Sequence, residues 1–105
     1  MYSGSEASEQ LQTVLTSLQN DFSPDSELIK AIKNLPTKEG TAVLTTVAEN
    51  LNTLLSSLTK LSSTLASSGG SSDATKELTK QVTDLANTIS VEINSLAELT
   101  EVGQD

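Results

Sequence analysis

The chain has 105 residues with 14 acids, six lysines and no Arg, His, Cys or Trp, giving a formal charge of −8. That length suits one small domain, and the absence of cysteine excludes disulfides and thiolate chemistry. An acidic chain without arginine is a poor match for a nucleic-acid backbone or an anionic membrane surface. With Tyr2 and Phe22 as its only aromatics, any core must be aliphatic.

The first predicted helix runs over residues 5–21. Ala7, Leu11, Val14, Leu15, Leu18 and Phe22 recur at helical spacing along it, and Ser3 with Glu6 has the form of a capping box. A second, shorter helix is expected over 24–35. Ser23 would cap it, Pro24 would take its first position and Pro36 would end it. Leu28, Ile29, Ile32 and Leu35 would point inward. Its acids (Asp25, Glu27) precede its lysines (Lys30, Lys33), the order that the helix dipole favours.

After Thr37 to Gly40, a connector or a frayed first turn, the third predicted helix, 41–66, carries the most regular pattern in the chain. Leu44, Val47, Leu51, Leu54, Leu58, Leu61 and Leu65 are spaced alternately by three and four, an unbroken heptad seam. With Leu44 as position a, Val43, Ala48 and Leu55 at positions g and e widen that face, which suits several neighbours within a bundle. The other e and g positions are Asn50, Ser57, Ser62 and Thr64, so no charges fix register or partner there. Between Thr41 and Ser68 only Glu49 and Lys60 are charged. Such a Ser- and Thr-rich helix has low intrinsic propensity and depends on packing.

Residues 67–72 (Ser-Ser-Gly-Gly-Ser-Ser) read as a turn. The fourth helix is expected over 73–102, with Asp73 as its cap and Gly103 as its stop. Leu78, Val82, Leu85, Ile89, Ile93 and Leu96 form its apolar face. Glu92 takes the heptad position after Ile89, so the spacing reads as closer to 3.6 residues than to a strict 3.5. The fold class is therefore all-α: a single-domain bundle over 1–105, with two short N-terminal helices packed on a long antiparallel hairpin in coiled-coil-like fashion.

Little in the sequence carries chemistry. Asp21, Ser23 and Asp25 alternate as in the opening of a calcium loop, but the sixth and twelfth positions are Ser26 and Ile32, where Gly and Glu belong. Glu98 and Glu101 fit a solvated helix face. Glu92 lies between Val91 and Ile93; if buried, its pKa rises. Without histidine no hydroxyl has an evident base, and Gly69-Gly70 lacks a phosphate-loop pattern. The chain is expected to be no enzyme and to need no metal or cofactor.

The stretch from Leu65 through Asp73-Ala74-Thr75 to Leu96 resembles, in its Leu, Ser, Thr and Val texture, the helical domains of fungal cell-surface mannoproteins and hydrophobic-surface-binding proteins. That resemblance covers about a third of the chain and is one of composition. It implies a surface or secreted protein that binds lipid or another apolar ligand. Length, acidity and lack of cysteine are also similar to exported helical hairpins of bacterial secretion systems, although Ser-Ser-Gly-Gly replaces their Trp-x-Gly turn.

The favoured expectation is a structural or protein–protein interaction bundle that self-associates, or binds a helical partner, through aliphatic faces. The interacting residues would be the seven of the seam together with Leu78, Val82, Leu85 and Ile89. No run is long and apolar enough to span a membrane, and the opening residues lack the basic and hydrophobic regions of a signal peptide.

Overall fold

The computed structural model describes residues 4–103, with side-chain surroundings for residues 8–98. It contains four helices: α1 (Gly4–Asp21), α2 (Glu27–Lys33), α3 (Thr37–Ser67) and α4 (Asp73–Gly103), with no strand among the described residues. The molecule is a rod measuring 59 × 23 × 16 Å. Helices α3 and α4 form an antiparallel hairpin, and the broken leg α1–α2 lies along it. The expected all-α bundle is thus the observed architecture.

Helix α1 runs parallel to α4. Near its start, Ser8 and Glu9 share a groove with Ala74 and Glu77; at its end, Gln19, Ser23 and Pro24 meet Asp84, Leu85 and Thr88. Between these points Gln12 Nε2 donates to Gln81 Oε1 at 2.7 Å, which pins the register. Leu15 and Phe22 are buried, whereas Val14, expected inward, is exposed because it sits at the edge of the narrow stripe that α4 covers. The Ser3–Glu6 capping box lies outside the described residues.

Helix α2 starts three residues later than expected. Ser26, not Ser23, is its cap: the backbone there is extended (φ −71°, ψ 153°) and Oγ accepts from Ile29 N–H at 3.1 Å. Ser26 N–H donates to Ser23 C=O at 3.0 Å, so Pro24 sits in a turn rather than at a helix start. The shortened helix buries only Ile29 and Ile32. Leu28 and Leu35, expected inward, are exposed. Leu28 lies about 100° around the helix from Ile29, and Leu35 follows the helix end, where Asn34 is the cap.

Helix α3 begins four residues before the expected start. The Pro36 carbonyl accepts from Glu39 and Gly40 N–H at 2.9 and 3.0 Å, which folds residues 37–40 into a first turn. Gly40 is buried inside that turn. A β-carbon there would stand 3.0 Å from the Ile32 carbonyl oxygen and 3.4 Å from Leu96 Cδ1. A residue without a side chain therefore lets both the end of α2 and Leu96 of α4 come close to the start of α3.

The hairpin turn closes as a Schellman motif. Gly70 N–H donates to Leu65 C=O at 2.9 Å and Gly69 N–H to Ala66 C=O at 3.2 Å, with Gly69 at φ 78°. Asp73 is the first residue of α4 rather than its cap. Lys76 N–H donates to the Ser72 carbonyl at 2.9 Å, which places Ser72 in the flanking position and Asp73 in the first turn, where its charge suits the dipole. Helix α4 continues through Gly103, the residue expected to stop it.

Part of the hydroxyl content is absorbed by the helices themselves. Thr46, Thr53 and Thr59 in α3, and Thr79, Thr83 and Thr88 in α4, each donate to the carbonyl four residues back, at 2.7 to 3.2 Å. Burial of the seam then offsets their low propensity.

Candidate functional site

The two long helices bury their seams unequally. On α4, Thr75, Leu78, Val82, Leu85, Ile89, Glu92 and Leu96 are all buried. Their spacing is three, four, three, four, three, four, so Glu92 belongs to the seam instead of interrupting it, and the heptad persists along α4. Ile93, expected on the inner face, is only half-buried. Helix α4 is the central element, flanked by α1 on one side and α3 on the other.

Of the seven seam residues on α3, only Leu44, Leu51 and Leu58, the first three a positions, are buried. Val47, Leu54 and Leu65 are half-buried, and Leu61 is 47 % exposed. The heptad therefore splits lengthwise: its a line is core as far as Leu58, and its d line, joined by Leu65, lies at a partly open edge. Val43 continues that edge at 42 % exposure. Beyond it come Asn50, Ser57 and Thr64, all exposed and uncharged. Of the eleven residues proposed for helix contact, Leu78, Val82, Leu85 and Ile89 lie wholly in the core of α4.

Glu92 is the most unusual polar group in the described molecule. It is 4 % exposed, and neither carboxylate oxygen has a hydrogen-bond partner. Its seam neighbours are Ile89 and Leu96. The contact of Leu96 with Gly40 fixes the antiparallel register, and four residues back along α4 that register sets Glu92 level with Leu44. Desolvation pushes its pKa above the ordinary value of 4.5, and the positive charge of Lys33 on α2 opposes this more weakly. The other polar seam residue, Thr75, is satisfied by donating to Ser72 C=O at 2.8 Å.

The sequence predicts a raised pKa for Glu92 if it is buried, yet the residue reads there as a gap in the apolar pattern. The alternating three–four spacing from Thr75 to Leu96 carried the signal for its seam position. Gly40 was missed altogether, since a glycine near a helix start carries no apolar signal.

The other candidates for chemistry do not assemble. Asp21 and Asp25 are exposed, the Ser23 hydroxyl donates to Asn20 C=O and that of Ser26 to Asp21 C=O. Among the described residues no three acidic side chains converge on a possible cation position. Glu98 is exposed, and the side chain of Glu101 lies outside the described set. The groove between α3 and α4 near the turn is lined by Thr59, Ser62, Ser63, Ala66, Lys76 and Thr79, with no carboxylate. No described helix is long and apolar enough to cross a membrane.

Comparison with known proteins gives no match: no family model fits the sequence, and no curated protein or solved structure is significantly similar to it. Function must therefore be argued from the residues themselves.

Proposed function

We propose that the chain is a non-catalytic helix-packing protein that associates with a second copy of itself along the open edge of α3. One observation carries this reading: an apolar line from Val43 through Val47, Leu54 and Leu61 to Leu65 is only partly covered, and an uncharged flank borders it. The line is roughly 33 Å long at the rise of an α-helix, ample for helix-to-helix contact. Electrostatics favour the same edge. Residues 41–68 hold one acid and one base, so the whole −8 resides elsewhere on the chain. Two such chains meet with least like-charge repulsion on this face. Thr46 and Thr53 on α3 already donate to their own backbone, so covering them strands no donor.

Sedimentation equilibrium over a wide concentration range tests the reading. A mass that rises with concentration, and returns to that of the monomer in L54E/L61E at unchanged helicity, is the expected result. A monomer at every concentration would overturn it. A monomer that co-purifies with a fatty acid, seen by native mass spectrometry, would favour an apolar ligand instead.

A further inference from the structure

We infer that α2 is a pH-dependent clasp, shut against the α3–α4 hairpin while Glu92 carries its proton and released when that proton is lost. Glu92 has both carboxylate oxygens buried in the α4 seam without a hydrogen bond. A neutral carboxyl tolerates that setting far better than an anion, which needs water or a partner. Ionisation therefore has to be answered by hydration, and water must enter where the cover is weakest.

The smallest element beside that carboxylate is α2, whose Lys33 acts on it. It has seven residues, buries only Ile29 and Ile32, and is bounded by a Pro24 turn and by Asn34-Leu35-Pro36. Hydrating Glu92 by parting α3 from α4 would instead expose a seam running from Leu44 to Leu58 on one helix and from Leu78 to Leu96 on the other. Lifting a two-isoleucine plug costs much less than opening that seam. The plug also sits at the right level. Ile32 meets the turn at Gly40, whose neighbour across the hairpin is Leu96, one helical turn from Glu92.

Charges around the carboxylate do not supply an alternative answer. From α2, Lys33 acts on it, but no ion pair between the two is formed, and Lys30 pairs with Glu27 at the surface. From α3, Lys38, Glu39 and Glu49 are exposed, as are Asp21 on α1 and Asp84 and Glu98 on α4. Burial raises the pKa of Glu92 and Lys33 lowers it, with burial the larger cause. The closed state therefore binds the proton more tightly than the open one. Closure weakens as pH rises from about the ordinary glutamate value to the raised one, then levels off.

Amide hydrogen exchange by NMR, expressed as protection factors across this pH range, tests the clasp. In the wild-type chain, protection at Ile29–Lys33 should fall by up to about tenfold per pH unit within the window, while the core amides of α3 and α4 keep theirs. E92Q should abolish the fall at α2, and E92L, which restores the residue type typical of the seam, should do the same. K33M removes the opposing cation, so the fall should extend to higher pH. A pH-independent α2 in the wild-type chain, or an E92Q profile that tracks it, would overturn the inference. So would loss of protection from all helices in one step, which would make Glu92 a load on the whole fold.

Discussion

A carboxylate with no partner inside a leucine seam is a standing cost to stability. Leaving a buried polar group unsatisfied costs about 1–3 kcal/mol, and replacing it with a residue that needs no partner recovers part of that. E92L should therefore unfold at higher denaturant concentration than the wild-type chain at neutral pH. The pH dependence has a definite sign. The folded-state pKa of Glu92 is raised from 4.5, so the folded state binds more protons than the unfolded state just above that value. Its contribution is most favourable below about pH 4.5 and declines as pH rises through the folded-state pKa. The stability difference between E92Q and the wild-type chain should grow over that interval, as measured by urea denaturation at a series of pH values. A constant difference would show that the carboxyl is hydrated in solution.

The glycines act at the level of elements. Gly69 has φ 78° and nothing within 4 Å of where its β-carbon would stand, so substitution there strains the backbone without a clash. G69A should cost about 1–2 kcal/mol, which corresponds to roughly 4–8 °C in melting temperature for a chain of this size. G70A, with ordinary van der Waals room beside Leu65, should cost much less. Comparing the two melting curves checks that the cost is conformational.

What could be read in advance follows element size. Helices α3 and α4 were legible because their periodicity runs over 31 residues each, long enough to average out single misfits. The Ser-Gly turn was legible because a left-handed residue there all but requires glycine. Helix α2 was less legible. Ser23-Pro24 has the form of a helix start, yet Ser26 competes with the same chemistry three residues later and wins through its bond to Ile29. Spacing points Leu28, Leu35 and Val14 inward because it gives the direction of a stripe but not its width. The partner that sets the width, α4 for α1 and the start of α3 for α2, is a tertiary fact. The open edge of α3 was hidden for the same reason, since an unbroken heptad does not reveal which of its two lines a neighbour covers.

For the molecule as a whole, the stabilising interactions are between legs rather than within them. Apart from Glu49 and Lys60, α3 has charges only in its first turn, at Lys38 and Glu39, and it is rich in Ser and Thr. A peptide of residues 37–67 alone should therefore be largely unstructured in water by circular dichroism. Strong helicity in the dilute, monomeric peptide would mean that α3 does not depend on α4 for its shape.

The placement of Glu92 toward one tip of the rod also bears on how paired molecules would respond to acid. If two copies met antiparallel about a dyad near Leu54, their Glu92 residues would lie roughly 30 Å apart along the axis. That exceeds the Debye length of about 8 Å at physiological ionic strength, so each would titrate as though alone. A parallel pair would bring both acids to the same tip with only the two α3 helices between them, so at low ionic strength, where the Debye length grows to about 30 Å, losing the first proton would hinder loss of the second and broaden the titration. The steepness of the proton-binding curve would then report the relative orientation of the two molecules.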